Sequence, residues 1–113
     1  MNFKINREEN HAVIASQVEK LDATNAPELK SELVLLNKNG VNTIVLDLGK
    51  TRYCDSSGLS SILTANRLCK DTNGQFILTG LQESVLKMIS IAQLDKVLTI
   101  TNSLAEANSL VQK

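Results

Sequence analysis

Residues 55–58 read Asp55-Ser56-Ser57-Gly58, set between an apolar run and an amphipathic stretch. Two adjacent hydroxyls beside a carboxylate, where a helix opens, suit one chemistry above others. The first turn of a helix presents backbone N–H groups with no intrahelical partner, and the positive end of the helix dipole adds to them. An anion is welcome there. A serine in that place can carry a phosphate without disrupting its own fold, while the phosphate changes what docks on the surface. Asp55 has two roles open to it: making or capping the turn, or orienting the Ser56 hydroxyl and touching a kinase. Ser57 is expected to cap the helix rather than serve as a second acceptor. Gly58 permits close approach of a partner's backbone or a special dihedral, or simply relieves the turn.

Other chemistries lack their parts. Ser56, Asp55 and His11 do not make a hydrolase: there is no Gly-x-Ser-x-Gly elbow, and His11 lies far along the chain in a different element. The chain is not expected to be an enzyme. One histidine and two scattered cysteines give no metal-ligand set. A phosphate-binding glycine loop is absent, so no nucleotide cofactor is expected. Cys54 and Cys69 form no Cys-x-x-Cys pair and lie in apolar surroundings. They are expected to be reduced, buried thiols of a cytoplasmic protein.

Composition narrows the partners. With 42% hydrophobic and 21% charged residues, the 113-residue chain has the makings of one globular domain with a core that needs no disulfide or metal. Twelve basic residues balance twelve acidic ones, and the only aromatics are Phe3, Tyr53 and Phe76. No basic stripe interleaved with aromatics exists, so nucleic acid is not an expected partner. No apolar run is long enough to cross a bilayer, and Met1-Asn2-Phe3-Lys4 lacks a signal-peptide apolar region, so no direct membrane insertion is expected.

The elements that must hold residues 55–58 follow from periodicity. Phe3 and Ile5, a polar turn at 6–10, and His11 through Val18 predict a hairpin. Thr24 and Asn25 open a first helix with Pro27 and Glu28 in its first turn; Ala26, Leu29, Leu33 and Leu36 form its stripe and Gly40 ends it. Thr43 to Leu48 is a β-branched inner strand. A second helix from Gly58 carries Leu59, Ile62, Leu63, Ala65 and Cys69. Asn73-Gly74 turns into a strand at 75–79. Ser84 is expected to cap a third helix with Val85, Met88, Ile89 and Ala92 inward, leaving Leu86 and Ile91 as a candidate partner patch. A short strand is predicted at 96–100. The capping box Ser103-Leu104-Ala105-Glu106 then opens a last helix with Ala107, Leu110 and Val111 as its stripe. The order β-β-α-β-α-β-α-β-α predicts an α/β fold: a mixed, mostly parallel sheet of four to five strands, begun by an antiparallel hairpin, with about four helices.

Several of these stretches resemble STAS domains. Leu21-Asp22-Ala23-Thr24-Asn25-Ala26-Pro27-Glu28-Leu29 is similar to the signature that opens their first helix. Val45-Leu46-Asp47-Leu48 with Tyr53 to Leu59 resembles their central strand and phosphorylation loop. Leu94-Asp95-Lys96-Val97-Leu98 and Glu106-Ala107 also fit, so the likeness covers nearly the whole chain as a single domain, 1–113. Within the superfamily the chain is most similar to bacterial anti-sigma-factor antagonists. One departure is Glu19-Lys20-Leu21-Asp22, where the family often has Gly-x-Leu-Asp.

The resemblance implies a phosphoacceptor at the serine after the aspartate, here Ser56. It implies a partner surface on Asp22, Thr24, Asp55, Ser56, Ser57, Gly58 and Leu59. It also implies two partners: an anti-sigma factor that is itself a serine kinase using ATP, and a phosphoserine phosphatase. The unphosphorylated antagonist would bind the anti-sigma factor and free a sigma factor, and phosphorylation at Ser56 would abolish binding. The alternative within the superfamily is a non-phosphorylated accessory subunit of a membrane transport complex.

Overall fold

The run Ile44-Val45-Leu46 is the centre of the molecule, and its apolar continuity is what a strand covered on both faces requires. A computed structural model of the chain describes residues 2–111. Its elements are β1 (Phe3–Arg7), β2 (Ala12–Ser16), β3 (Lys20–Leu21), α1 (Ala26–Lys38), β4 (Ile44–Asp47), β5 (Tyr53–Cys54), α2 (Ser56–Asp71), β6 (Phe76–Thr79), α3 (Glu83–Ile91), β7 (Thr99–Thr101) and α4 (Leu104–Leu110). The main sheet has the order β1-β2-β4-β6-β7. β1 and β2 pair antiparallel, and every other neighbour in this sheet is parallel. This is the mixed sheet with a leading hairpin that the sequence predicts.

The two faces of the sheet are covered unequally. Ile14, Ile44, Leu46 and Leu78 meet Leu29 and Leu33 of α1, Ile62 of α2 and Ile89 of α3 in the larger core. On the opposite face Val13, Val45 and Ile77 lie under Ala107 of α4, with Val111 beside them. The predicted cap of α4 forms with one change: the Glu106 N–H donates to Ser103 Oγ at 3.1 Å, but the Glu106 carboxylate accepts the N–H of Asn102, one residue before the cap, at 2.7 Å. In α1 the predicted stripe of Ala26, Leu29, Leu33 and Leu36 is buried. Gly40, at φ +88°, then turns the chain into β4 in a conformation that suits glycine.

Several expectations need correction. β3 and β5 form a separate two-stranded parallel ladder, Lys20 opposite Tyr53 and Leu21 opposite Cys54, that periodicity did not reveal. The last strand is Thr99–Thr101 rather than 96–100, because its partner β6 supplies pairing only from Ile77 to Thr79. Leu94–Lys96 forms a 3₁₀ turn instead. Gln82, not Ser84, precedes α3, since the Ser84 hydroxyl donates to the Arg52 carbonyl. Leu63, Ala92 and Leu110, expected inward, are exposed; Asn66 of α2 is buried although it is polar. Leu86 and Ile91 stand off the α3 core stripe, as expected, and both are exposed.

A buried polar pair ties the hairpin to the β4–β5 loop. Ser16 Oγ and Thr51 Oγ1 share a hydrogen bond of 2.8 Å, and Thr51 Oγ1 also donates to the Val18 carbonyl at 2.8 Å. Thr51→Val would leave the buried Ser16 hydroxyl without this partner and remove the bond to the part-buried Val18 carbonyl. It is expected to lower stability by about 1–3 kcal/mol, read as a reduced urea midpoint.

Candidate functional site

The small β3–β5 ladder sets where α2 begins. Glu19 offers its carbonyl to the N–H groups of Arg52 (2.8 Å) and Tyr53 (3.1 Å), and the Asp55 N–H donates to the Leu21 carbonyl at 3.2 Å. The chain entering Ser56 is therefore pinned along β3. Gly58 then faces inward from the first turn of α2. A Cβ there would lie 2.4 Å from the Leu21 carbonyl oxygen and 2.5 Å from Cys54 Sγ. The missing side chain lets the helix start press directly on the β3 backbone.

Asp55 is the N-cap of α2. Its backbone is extended (φ −94°, ψ −171°) and its Oδ1 accepts the Gly58 N–H at 3.0 Å. The helix thus opens at Ser56 rather than Gly58. Ser57 is the second helical residue and does not cap it. Asp55→Ala is expected to lower stability by about 0.5–2 kcal/mol in a thermal melt, as N-cap losses do.

Ser56 is exposed and Ser57 half-buried. Both line a cleft of about 340 Å³ between α1 and α2, together with Ala23, Ala26, Pro27, Lys30 and Ser60. The turn before α1 brings the other predicted residues to this end of the molecule. The Thr24 hydroxyl and N–H donate to Asp22 Oδ1 at 2.5 and 3.0 Å. The Asp22 N–H donates to Asn25 Oδ1 at 3.0 Å, and the Asn25 amide donates to the Lys20 carbonyl at 2.8 Å. The Thr24 hydroxyl, then its N–H, hold the Asp22 carboxyl below the usual carboxylate range against partial burial, with a smaller pull from Lys20. A depressed folded pKa stabilises above the ordinary value and fades as pH falls through the lowered one, so Asp22 supports this turn as an anion throughout neutral pH.

The predicted site residues are thus unequal. Thr24 and Ser56 are exposed; Asp22, Asp55, Ser57 and Leu59 are partly covered; Gly58 is buried. Leu59 packs against the larger core. Lys30 is the residue that sequence reasoning passed over: its Nζ reaches across from α1 to Ser60 Oγ of α2 at 3.5 Å. Its spacing of four from Ala26, on the same helix side, was the available signal.

Cys54 lies beneath the site and Cys69 farther along α2, both fully buried. Burial, with the Asp55 charge second, pushes the Cys54 thiol up to about 12. Burial pushes Cys69 up to about 11. Neither thiol is expected to react with a thiol-specific chromogenic disulfide at pH 8 until the chain is unfolded, because the thiolate is the nucleophile. His11 precedes β2, at the far end of the parallel strands from Ser56, and its Nε2 shares a hydrogen bond of 3.2 Å with Asn108 Oδ1. Among the described residues no group of three or more His, Cys, Asp or Glu is placed to hold a metal ion, and no helix is long and apolar enough to cross a membrane.

A sheet begun by a hairpin, a helix headed by an exposed serine, and a cleft beside that helix define a recognisable class. The family model for the STAS domain matches residues 3–107, and the chain belongs to that family. It is 29% identical over 90 residues to the anti-sigma-B factor antagonist of Listeria monocytogenes, covering 79% of this chain and 78% of that protein. The crystal structure of the Thermotoga maritima protein TM1081 superposes with a TM-score of 0.87 over 98% of this chain and 95% of that one, at 25% identity. The Bacillus protein SpoIIAA in its phosphorylated form shares the fold with a TM-score of 0.75 at 20% identity, over 95% of this chain and 96% of that one.

Proposed function

We propose that the chain is an anti-sigma-factor antagonist switched by phosphorylation of Ser56. The unphosphorylated form binds an anti-sigma factor with serine kinase activity and so frees a sigma factor in the cytoplasm. The anti-sigma factor uses ATP to phosphorylate Ser56, the complex parts, and a phosphoserine phosphatase restores the starting form. The observation that carries this reading is the exposed Ser56 hydroxyl at the head of α2, on the rim of the α1–α2 cleft. A non-phosphorylated accessory subunit of a transport complex would have no use for that placement.

The energetics have the right sign. A phosphoserine adds about −1.5 to −2 charges near neutral pH. At a helix N-terminus the internal effect is favourable by roughly 0.3–2 kcal/mol. Across a packed interface the same group must shed water and face whatever charge the partner presents, and like charges there cost several kcal/mol. A net loss of about 3 kcal/mol lowers affinity roughly a hundredfold. The host therefore stays folded while the partner leaves.

Two further facts support the reading. A relative over most of this chain is named an anti-sigma-B factor antagonist. SpoIIAA has been solved unphosphorylated and phosphorylated, and both forms match this architecture, with TM-scores of 0.74 and 0.75. A phosphate on that protein is compatible with the shared fold. Gel filtration of the chain with an anti-sigma factor from the same genome tests the proposal. One complex is expected before ATP and separate components after it. A complex that survives ATP and measurable phosphorylation would overturn the switch.

A further inference from the structure

Lys30 is the one charged side chain among the residues lining the α1–α2 cleft; the others are alanine, proline and serine. Its position is electrostatically unusual. It is the fifth residue of α1, and across the cleft it faces the first turns of α2. A cation thus stands across the cleft from the head of α2, and an anion added on the α2 side would be favoured by both that cation and the helix dipole. Among the described residues no carboxylate lines the cleft, and Glu28, in the first turn of α1, accepts from the Asn2 amide instead. Asp55 is turned to the Gly58 N–H and Asp22 to Thr24, and neither lines the cleft. What Lys30 does touch is the Ser60 hydroxyl, at 3.5 Å, the outer limit of a hydrogen bond.

Ser60 lies one turn beyond Ser56, and residues four apart share a helix face with Cβ atoms about 5–6 Å apart. An ammonium at Ser60 on a flexible stem is thus within reach of a phosphate borne by Ser56. We infer that Lys30 takes hold of the phosphate on Ser56, exchanging its loose contact with Ser60 for a charge-assisted pair that folds the phosphate along the cleft. This inference rests on Ser56 being the acceptor. It adds the residue that favours the dianionic, charged form of the switch.

The test uses the full chain with phosphoserine installed at position 56 by genetic-code expansion, so no kinase is needed. Phosphorus NMR follows the second ionisation of the phosphate, which lies near pH 6 when unperturbed. An ammonium beside it favours the dianion, so the wild-type midpoint should lie about half a pH unit below that of Lys30→Met. Lys30→Arg should stay near the wild type. Lys38→Met, which removes a charge from the far end of the same helix, should also leave it in place. Equal midpoints in wild type and Lys30→Met, or an equal shift from Lys38→Met, would overturn the inference. Anti-sigma binding does not enter the readout. A negative result here leaves the Ser56 switch standing, and a failed switch leaves the lysine–phosphate pair measurable.

Discussion

Ser56→Asp will bind an anti-sigma factor about a hundredfold more weakly than the wild type, the equivalent of about 3 kcal/mol, and will melt within about 3 °C of it. The two halves of that result have separate causes. Ser56 is exposed, so the added carboxylate displaces no core atom. It sits on the first residue of α2, where a negative charge suits the helix dipole. Inside the host the substitution is therefore close to neutral. At the proposed docking surface the carboxylate would have to be desolvated, and like charge facing it there would cost several kcal/mol. Fluorescence anisotropy and calorimetry read the two quantities independently. Equal affinities, or a loss of affinity matched by a large fall in Tm, would contradict the account.

Gly58→Val should do the reverse, damaging the fold first and binding only as a consequence. A Cβ at this position meets the Leu21 carbonyl oxygen at 2.4 Å, which is backbone held in the β3–β5 ladder, and Cys54 Sγ at 2.5 Å. Neither can yield cheaply. Overpacking of this kind costs about 1–3 kcal/mol, and the branched side chain belongs at the upper end of that range. For a domain of this size a loss of about 2–3 kcal/mol lowers Tm by roughly 10–15 °C. Pushed away from β3, the head of α2 would also carry Ser56 out of place. Gly58→Ala should show the same sign at smaller amplitude. In an unconstrained helix either substitution would stabilise by relieving the glycine penalty. A raised or unchanged Tm would therefore show that the close approach of α2 to β3 is absent.

Much of this organisation was legible in the chain. The α1 stripe of Ala26, Leu29, Leu33 and Leu36 is local, and the four residues are buried. The apolar run of β4 has only one environment that suits it, the middle of the sheet. Asp55 to Gly58 form a contiguous tetrapeptide, so the candidate acceptor and its cap could be read together.

What escaped is what depends on distant segments meeting. Two-residue strands such as β3 and β5 have no period to detect, and they exist because Glu19 and Leu21 find partners more than thirty residues on. From sequence, Gly58 fits a partner's approach as well as a turn; only the position of Leu21 shows that the chain's own backbone fills the space. Lys30 looks like an ordinary exposed helix residue until α2 is packed beside α1. Leu63 was drawn inward by its apolar character, yet α2 is rotated so that Asn66 and Ser61 lie buried and Leu63 faces out. The Ser61 hydroxyl makes that possible by donating to the Gly58 carbonyl at 2.7 Å.

The most direct measurement is to incubate the full chain with its anti-sigma factor and ATP, then map the product by intact mass and peptide sequencing while following the complex. One phosphoryl group on Ser56, gained as the complex dissolves and without loss of the folded state, is the predicted result. A phosphoryl group on Ser57 or Ser60 instead, or a chain fully charged at Ser56 that remains bound, would contradict it.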